Sequence, residues 1–337
     1  MSSGPPVLVL GASGFIGSAL TRALVGSGRR VRAGVRSRPA GEQLRRSGAE
    51  PVAVDLLDPA SLRQAASGCS VIFHAAGLNA MCPRDPGPLY QVNVQGTRNV
   101  VAAAAAAGVS RLVYTSSAAT IGEAHGTVAT ADSPHRGWFL SNYERSKFLA
   151  ERQAQVLAGE LGVELVCVNP SSVQGEGRTG GTARWLIRYA DGRLRWMVDT
   201  RVSLVGVADC TTAHLLAATV GVPGRRYLVS GFTMEIGELM EAVAEVTGHR
   251  YPVRLVPAFV ALGAGGLAGT LYRPFSRRPP ICSEMVRTLL HGHAYDGSRA
   301  AQELGFEYQP VANFIRSTLA WYSQQGLIRQ RIGMGAG

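Results

Sequence analysis

In Ser141-Asn142-Tyr143-Glu144-Arg145-Ser146-Lys147, a tyrosine and a lysine stand four residues apart, a spacing that places both on one face of a helix. Ser141 followed three residues later by Glu144 predicts a capping box, which sets Tyr143 in the first helical turn, where unpaired backbone N–H groups carry partial positive charge. A free phenol has a pKa near ~10, so it exchanges a proton at neutral pH only with help. An ammonium one turn away and a positive helix end both favour phenolate. The pair therefore reads as a proton donor and its tuning cation. A solvated amphipathic helix would carry the same two residues, and composition separates the readings. Lys147 is the only lysine in the chain, and the other 33 of its 34 basic residues are arginine. A compact ammonium with a shiftable pKa is what a guanidinium cannot replace.

Other chemistry-bearing residues fall at the ends of short apolar runs. Arg111 to Thr115 reads as a strand ending at Ser116-Ser117, where a hydroxyl can donate to the carbonyl oxygen that Tyr143 would protonate. Val7 to Leu10 ends in Gly11-Ala12-Ser13-Gly14-Phe15-Ile16-Gly17 and is followed by a helical stretch from Ser18 to Val25. A strand, glycine turn and helix in that order let the backbone approach a pyrophosphate resting on the helix N-terminus. The strand Val31 to Val35 ends at Arg36-Ser37-Arg38. An acid there would hold an adenosine ribose and repel a 2′-phosphate, whereas arginine does the reverse, so NADP(H) is expected, with NAD(H) as the alternative. Pro51 to Val54 and Val71 to His74 read as further strands, closed by Asp55-Leu56 and by Ala75-Ala76-Gly77, small residues suited to lie against a cofactor. Leu89 to Ala107 reads as one long helix carrying Asn93, and Glu164 to Val168 as the strand that leads to Pro170 and Val173.

The elements that position these residues alternate strand and helix, which predicts an α/β fold, a Rossmann-type doubly wound parallel sheet with the ligand at its C-terminal edge. The expected organisation is a dinucleotide-binding domain over 1–175, a smaller C-terminal substrate-binding lobe over 176–328, a strand near 227–230 that rejoins the sheet, and a disordered tail over 329–337. With 337 residues and 46% hydrophobic content the chain can bury a substantial core. Net charge is +11, but the arginines are scattered in ones and twos, so no nucleic-acid partner is expected. The five cysteines, at 69, 82, 167, 210 and 282, form no CxxC and are odd in number, which predicts neither disulfides nor a metal site and a reducing, cytoplasmic location. No transmembrane segment is expected. The apolar stretch Val256 to Leu271 predicts a substrate-lobe helix, with Arg273, Arg277 and Arg278 beside it allowing weak interfacial contact over 256–278.

Together these residues resemble an extended short-chain dehydrogenase/reductase of the epimerase/dehydratase family over nearly the whole chain. The resemblance rests on the three glycines 11, 14 and 17, Asp55-Leu56, His74-Ala75-Ala76, Asn93-Val94-Gln95-Gly96-Thr97, Tyr114-Thr115-Ser116-Ser117, Tyr143-x-x-x-Lys147 and Asn169-Pro170. The chain looks most like the dihydroflavonol-reductase-like and 3β-hydroxysteroid-dehydrogenase-like branch. The resemblance implies that Tyr143 is the acid/base, that Lys147 holds the ribose hydroxyls, that Ser117 rather than Ser116 polarises the substrate, that Asn93 is structural or catalytic, and that Asp55 and Leu56 border the adenine. Sugar-nucleotide epimerases carry Val-Tyr-Gly and Arg-Asp-Phe where this chain has Thr120-Ile121-Gly122 and Arg201-Val202-Ser203. The expected function is therefore NADPH-dependent interconversion of a carbonyl and an alcohol on a hydrophobic, dihydroflavonol- or steroid-like small molecule, in a protein that could be a homodimer. The rivals are an NAD-dependent sugar-nucleotide epimerase or dehydratase and a non-catalytic dinucleotide-binding scaffold or redox sensor.

Overall fold

Val7 and Val9 of the first strand pack on one side of a sheet, with Leu20 and Leu24, while Leu8 and Leu10 pack on the other, with Val100, Val101 and Ala104. A strand buried on both faces needs an unbroken apolar run, and that is what Val-Leu-Val-Leu supplies. In the computed structural model, which describes residues 4–272 and 281–332, seven strands form the central sheet. They are β1 (Val7–Leu10), β2 (Val31–Val35), β3 (Glu50–Ala53), β4 (Val71–His74), β5 (Arg111–Thr115), β6 (Leu165–Pro170) and β7 (Arg226–Val229). All neighbours are parallel, in the order β7-β6-β5-β4-β1-β2-β3. The order reverses between β1 and β4, and a doubly wound sheet opens its ligand crevice at such a switch point. Register then decides what meets there. Gly34, Leu10, His74, Tyr114 and Cys167 form one row across the sheet, so Gly11, Ala75 and Thr115 emerge together on its C-terminal rim.

The helix Phe15–Gly26 covers one face; Pro59–Ala66, Gly96–Ala106 and Asn142–Leu161 cover the other. A third core lies in the C-terminal lobe, where Leu186, Tyr189, Ile236, Leu239, Phe314, Leu319 and Tyr322 pack together. That lobe includes a three-stranded sheet of Phe232–Glu235, Arg201–Gly206 and Ser172–Gln174, and a pair formed by Trp196–Val198 and Arg254–Val256. The chain does not leave the first layer for good near residue 175. Helix Val207–Ala217 returns to pack on Phe15–Gly26 through Cys210, Ala213 and Ala217, and β7 extends the sheet beside β6.

Four expectations are corrected. The stretch 89–107 is not one helix: a short helix Gly87–Tyr90 runs into a π-helical turn Gln91–Gln95 and then into Gly96–Ala106. Cys82 and Cys282 form a disulfide, whereas Cys69, Cys167 and Cys210 are free and buried. The pairing spans 200 residues of sequence and is made by the C-terminal lobe folding back, so no local spacing announces it. Residues 329–332 are tethered, Arg329 N–H donating to Asp191 at 2.8 Å and Ile332 N–H to Ser323 at 3.3 Å, while 333–337 of the expected tail lie outside the described residues. The capping box is half formed: Ser141 Oγ accepts from Glu144 N–H at 3.1 Å, but the Glu144 carboxylate accepts from Leu140 N–H and pairs with Arg136. The expected helix in the apolar stretch is Ala258–Leu271, with Phe259, Val260, Leu262, Leu267 and Leu271 exposed. Arg273, Arg277 and Arg278 lie outside the described residues. Among the described residues no helix is long and apolar enough to cross a membrane.

Candidate active site

The glycine turn is built by mutual close approach. Gly11 has φ +77, and a Cβ on it would lie 2.7 Å from Ala76 Cα. A Cβ on Gly17 would lie 2.1 Å from Gly11 O, and one on Gly14 3.1 Å from the same oxygen. The turn therefore folds down onto the start of the helix and against the Ala75-Ala76 loop. Gly14 is the N-cap residue, with extended dihedrals and no side chain to occupy the first-turn N–H groups of Phe15, Ile16 and Gly17. Unclaimed donors at the positive end of a helix, reached through a surface bare of Cβ atoms and flanked by exposed Ser13, fit a dinucleotide pyrophosphate.

On the same rim, Tyr143 opens the helix Asn142–Leu161, as its spacing predicts. Lys147 lies one turn in, is only 5% exposed, and donates at 2.8 Å both to Tyr114 Oη and to the Thr115 carbonyl. Burial brings its ammonium down to about 8, against the pull of the Glu151 carboxylate. Burial also raises the Tyr143 phenol above its ordinary value, opposed by hydrogen bonding to Ser117 and by the Arg178 guanidinium. The tuning differs from the sequence expectation, because Lys147 is turned to Tyr114 and Thr115 and the opposing cation is Arg178. At the start of the same helix the Glu284 carboxylate accepts from Asn142 N–H at 3.0 Å. Ser117 Oγ accepts from Ala119 N–H at 3.3 Å, whereas Ser116 Oγ is buried without a partner among the described residues. It is thus Ser117 that meets Tyr143.

Asn93 lies in the π-helical turn, 2% exposed, with its amide fully engaged. Its Oδ1 accepts from Leu78 N–H at 2.7 Å, and its Nδ2 donates at 2.9 Å to the Leu78 carbonyl and at 2.9 Å to Ser146 Oγ. It ties Leu78, next to the Ala75-Ala76-Gly77 loop, to Ser146 of the Tyr143 helix. Behind it His74 stacks on Tyr114 with 5.2 Å between ring centroids, and burial lowers its pKa to about 3, so it stays neutral beside Lys147. Thr115 Oγ1 is 2.8 Å from His214, and Val173 is buried just beyond Pro170 at the end of β6.

Four predicted residues stand apart. Arg36 directly follows β2 and Arg38 begins the helix Arg38–Arg46; both are exposed, and among the described residues neither guanidinium has a hydrogen bond or ion pair. Asp55 turns onto its own loop, Oδ1 accepting from Leu57 N–H at 2.9 Å, while Leu56 is held by Asn99, whose Nδ2 donates to its carbonyl at 2.9 Å. The residues missed by sequence reasoning come from loops whose destination no period reveals. Arg178 lies over the Phe15 ring at 5.5 Å, has a buried Nε without a hydrogen-bond partner among the described residues, and reaches the field of both Tyr143 and Tyr322. Its neighbours Gly175 and Gly177, both at positive φ, were the available signal of a shaped loop.

Residues 7–230 match a family model described as the NAD dependent epimerase/dehydratase family. The chain belongs to this family. It is an enzyme of the NAD(P)-dependent extended short-chain dehydrogenase/reductase class. It is 31% identical over 331 residues to sterol demethylase protein B of Methylococcus capsulatus, covering 95% of this chain and 99% of that one. It is 30% identical over 306 residues to a 4-hydroxy-2-methyl-3-oxo-4-farnesyl-3,4-dihydroquinoline-1-oxide ketoreductase of Stigmatella aurantiaca, covering 88% of this chain and 90% of that one. Among solved structures it is similar to gox2253, with a TM-score of 0.83 and 29% identity, covering 97% of this chain and all of that one.

Proposed function

We propose that the chain is an NADPH-dependent reductase, or in reverse an alcohol dehydrogenase, acting on a ketone or aldehyde of a hydrophobic small molecule. The observation that carries this reading is the half-buried Tyr143 phenol beside Ser117, with the Lys147 ammonium one turn away, on the rim where the glycine turn opens. A nicotinamide cofactor bound on that turn supplies the hydride. Tyr143 gives its proton to the substrate oxygen, Ser117 donates a hydrogen bond to the same atom, and Lys147 is within reach of ribose hydroxyls from its place between Tyr114 and Thr115. Arg36 and Arg38 favour NADPH because both guanidinium groups are exposed and free to meet a 2′-phosphate. The lipophilic molecules named for the two relatives favour a substrate of that kind.

A sugar nucleotide is less well supported. Arg201, the residue left of the epimerase Arg-Asp-Phe segment, pairs with Glu235 at 2.9 Å instead of facing the crevice unpaired. Catalysis in the cytoplasm also belongs to this reading, and the Cys82–Cys282 disulfide stands in tension with it. The test is a panel of lipophilic ketones, aldehydes and alcohols, followed by nicotinamide absorbance with NADPH and NADH, beside thermal melts with UDP- and GDP-sugars. Turnover of a lipophilic carbonyl with NADPH is the expected result. A melting shift with a nucleotide sugar and no carbonyl turnover would put the epimerase first.

A further inference from the structure

Glu123, His291 and His293 form a group that the Tyr143 chemistry does not use. Glu123 follows the short 3-10 turn Ala118–Thr120 that begins after Ser117, and its side chain is 2% exposed. His291 ends the helix Ser283–His291, Gly292 caps it at φ +63, and His293 follows. This turn presents both imidazoles of His-Gly-His to one carboxylate. His291 Nε2 is 3.3 Å and His293 Nδ1 2.6 Å from Glu123 Oε1, and one ligand atom from each of the three residues lies within 4.8 Å of the others. Two atoms of the group, Glu123 Oε2 and His291 Nε2, are buried without a hydrogen-bond partner among the described residues. The surroundings hold the group in place: His125 Nδ1 is 2.9 Å from the His291 carbonyl, Tyr295 Oη is 2.9 Å from His293 Nδ1, and Arg136 donates to the Glu123 carbonyl at 3.2 Å. Arg136, the neighbouring cation, has its charge met by Glu144.

We propose that Glu123, His291 and His293 form a binding site for a divalent transition-metal ion of the zinc class. Two imidazoles and one carboxylate are borderline ligands that suit zinc, whereas magnesium and calcium take mainly oxygen. Ligands ~2.0–2.1 Å from a tetrahedral ion lie roughly 3.3–3.4 Å apart. The His291 Nε2 to Glu123 Oε1 separation of 3.3 Å already has that value, and it lacks the alignment of a hydrogen bond. The 2.6 Å contact of His293 is a hydrogen bond, so an ion takes the place of that proton and the pair opens by less than about 1 Å. An ion also answers the unpaired Oε2, a buried charged atom that is otherwise costly. Tyr295 Oη or a water would complete the set. Bound there, the ion fastens the 291–295 segment to the loop that carries Ser117, which makes its role structural.

The test uses the full chain without a histidine tag, depleted with chelator and titrated calorimetrically with ZnCl2, with CoCl2 as the optical probe. The expected result is one equivalent per chain, the visible absorption of Co2+ bound to nitrogen and oxygen, and a melting temperature raised by roughly 4 °C or more at saturating zinc. Glu123→Gln and His293→Gln should each weaken the binding at least about tenfold. Absence of zinc binding by the wild type overturns the proposal whether or not the variants fold. So does binding that both folded variants retain unchanged, since it would lie elsewhere.

Discussion

Lys147 shows why one cation type cannot stand for another. Its Nζ is shared between Tyr114 Oη and the Thr115 carbonyl, both at 2.8 Å, in a site with room for a point charge. Lys147→Arg puts a longer planar group there, and misplacement by about 1 Å can cost ~10²-fold in rate. We expect a folded Lys147→Arg protein with kcat/KM reduced at least about tenfold, and a larger loss, ~10²–10⁴-fold, in Tyr143→Phe, which lacks the donated proton. Steady-state kinetics beside circular dichroism checks both; near-wild-type turnover in either folded variant sinks its assigned role. The lowered pKa gives a pH expectation. Because the folded pKa of about 8 lies below the ordinary 10.5, the folded state releases the proton first, and stability rises with pH between those values. Activity moves the other way, since the ammonium is what the site uses, and kcat/KM should fall above about pH 8. Cofactor choice belongs to this scale too: Arg36→Asp should weaken NADPH far more than NADH, and a titration showing that the wild type prefers NADH would refute the arginine reading. Tyr143, Lys147 and the glycines were legible because their spacing is local. Arg178 and Glu284 were not, because each reaches Tyr143 or Asn142 from the C-terminal half.

The glycine turn and the π-helical turn at Asn93 are opposite cases of element formation. The turn is dictated by what cannot be present. A Gly17 Cβ would meet backbone, Gly11 O at 2.1 Å and Gly11 C at 2.7 Å, which no side-chain rotation can relieve. Gly14 would bring its Cβ only to 3.1 Å from the same oxygen. Gly17→Ala should therefore displace the turn, lower stability by ~1–3 kcal/mol or more, and weaken the dinucleotide at least about tenfold, with Gly14→Ala milder on both counts. Calorimetric titration with NADPH ranks the two variants, and equal affinities would mean that the turn does not bear on the cofactor. The π-helical turn is dictated by partners remote in sequence. Leu89 to Ala107 is a plausible helix throughout, and what the sequence does not display is the demand of Leu78 and Ser146 on the Asn93 amide. Such wide turns gather at functional sites, where they turn one side chain inward at the expense of regularity.

At the scale of the whole molecule, the parallel sheet follows from the strand and helix rhythm, and six of its seven strands precede residue 175. The closure of the C-terminal lobe onto it does not follow from any rhythm, since it is made by contacts between residues far apart. Cys82, in the stretch after β4, is bonded to Cys282, and next to it Glu284 accepts from Cys82 N–H at 3.0 Å as well as from Asn142 at the start of the Tyr143 helix. One short segment of the lobe thus clamps both the stretch after β4 and the Tyr143 helix. Cross-linking residues 200 positions apart restricts the unfolded chain strongly, and disulfides of this kind typically contribute ~2–4 kcal/mol. The double variant Cys82→Ser/Cys282→Ser should accordingly unfold at lower denaturant by that amount. It should also lose turnover, because Glu284 is then held at the helix start by hydrogen bonds alone. Reductant should reproduce both effects in the wild type and neither in the double variant. Peptide mapping under non-reducing conditions is the direct check: free thiols at both 82 and 282 in the active protein would remove the clamp and restore the reducing-compartment reading of all five cysteines.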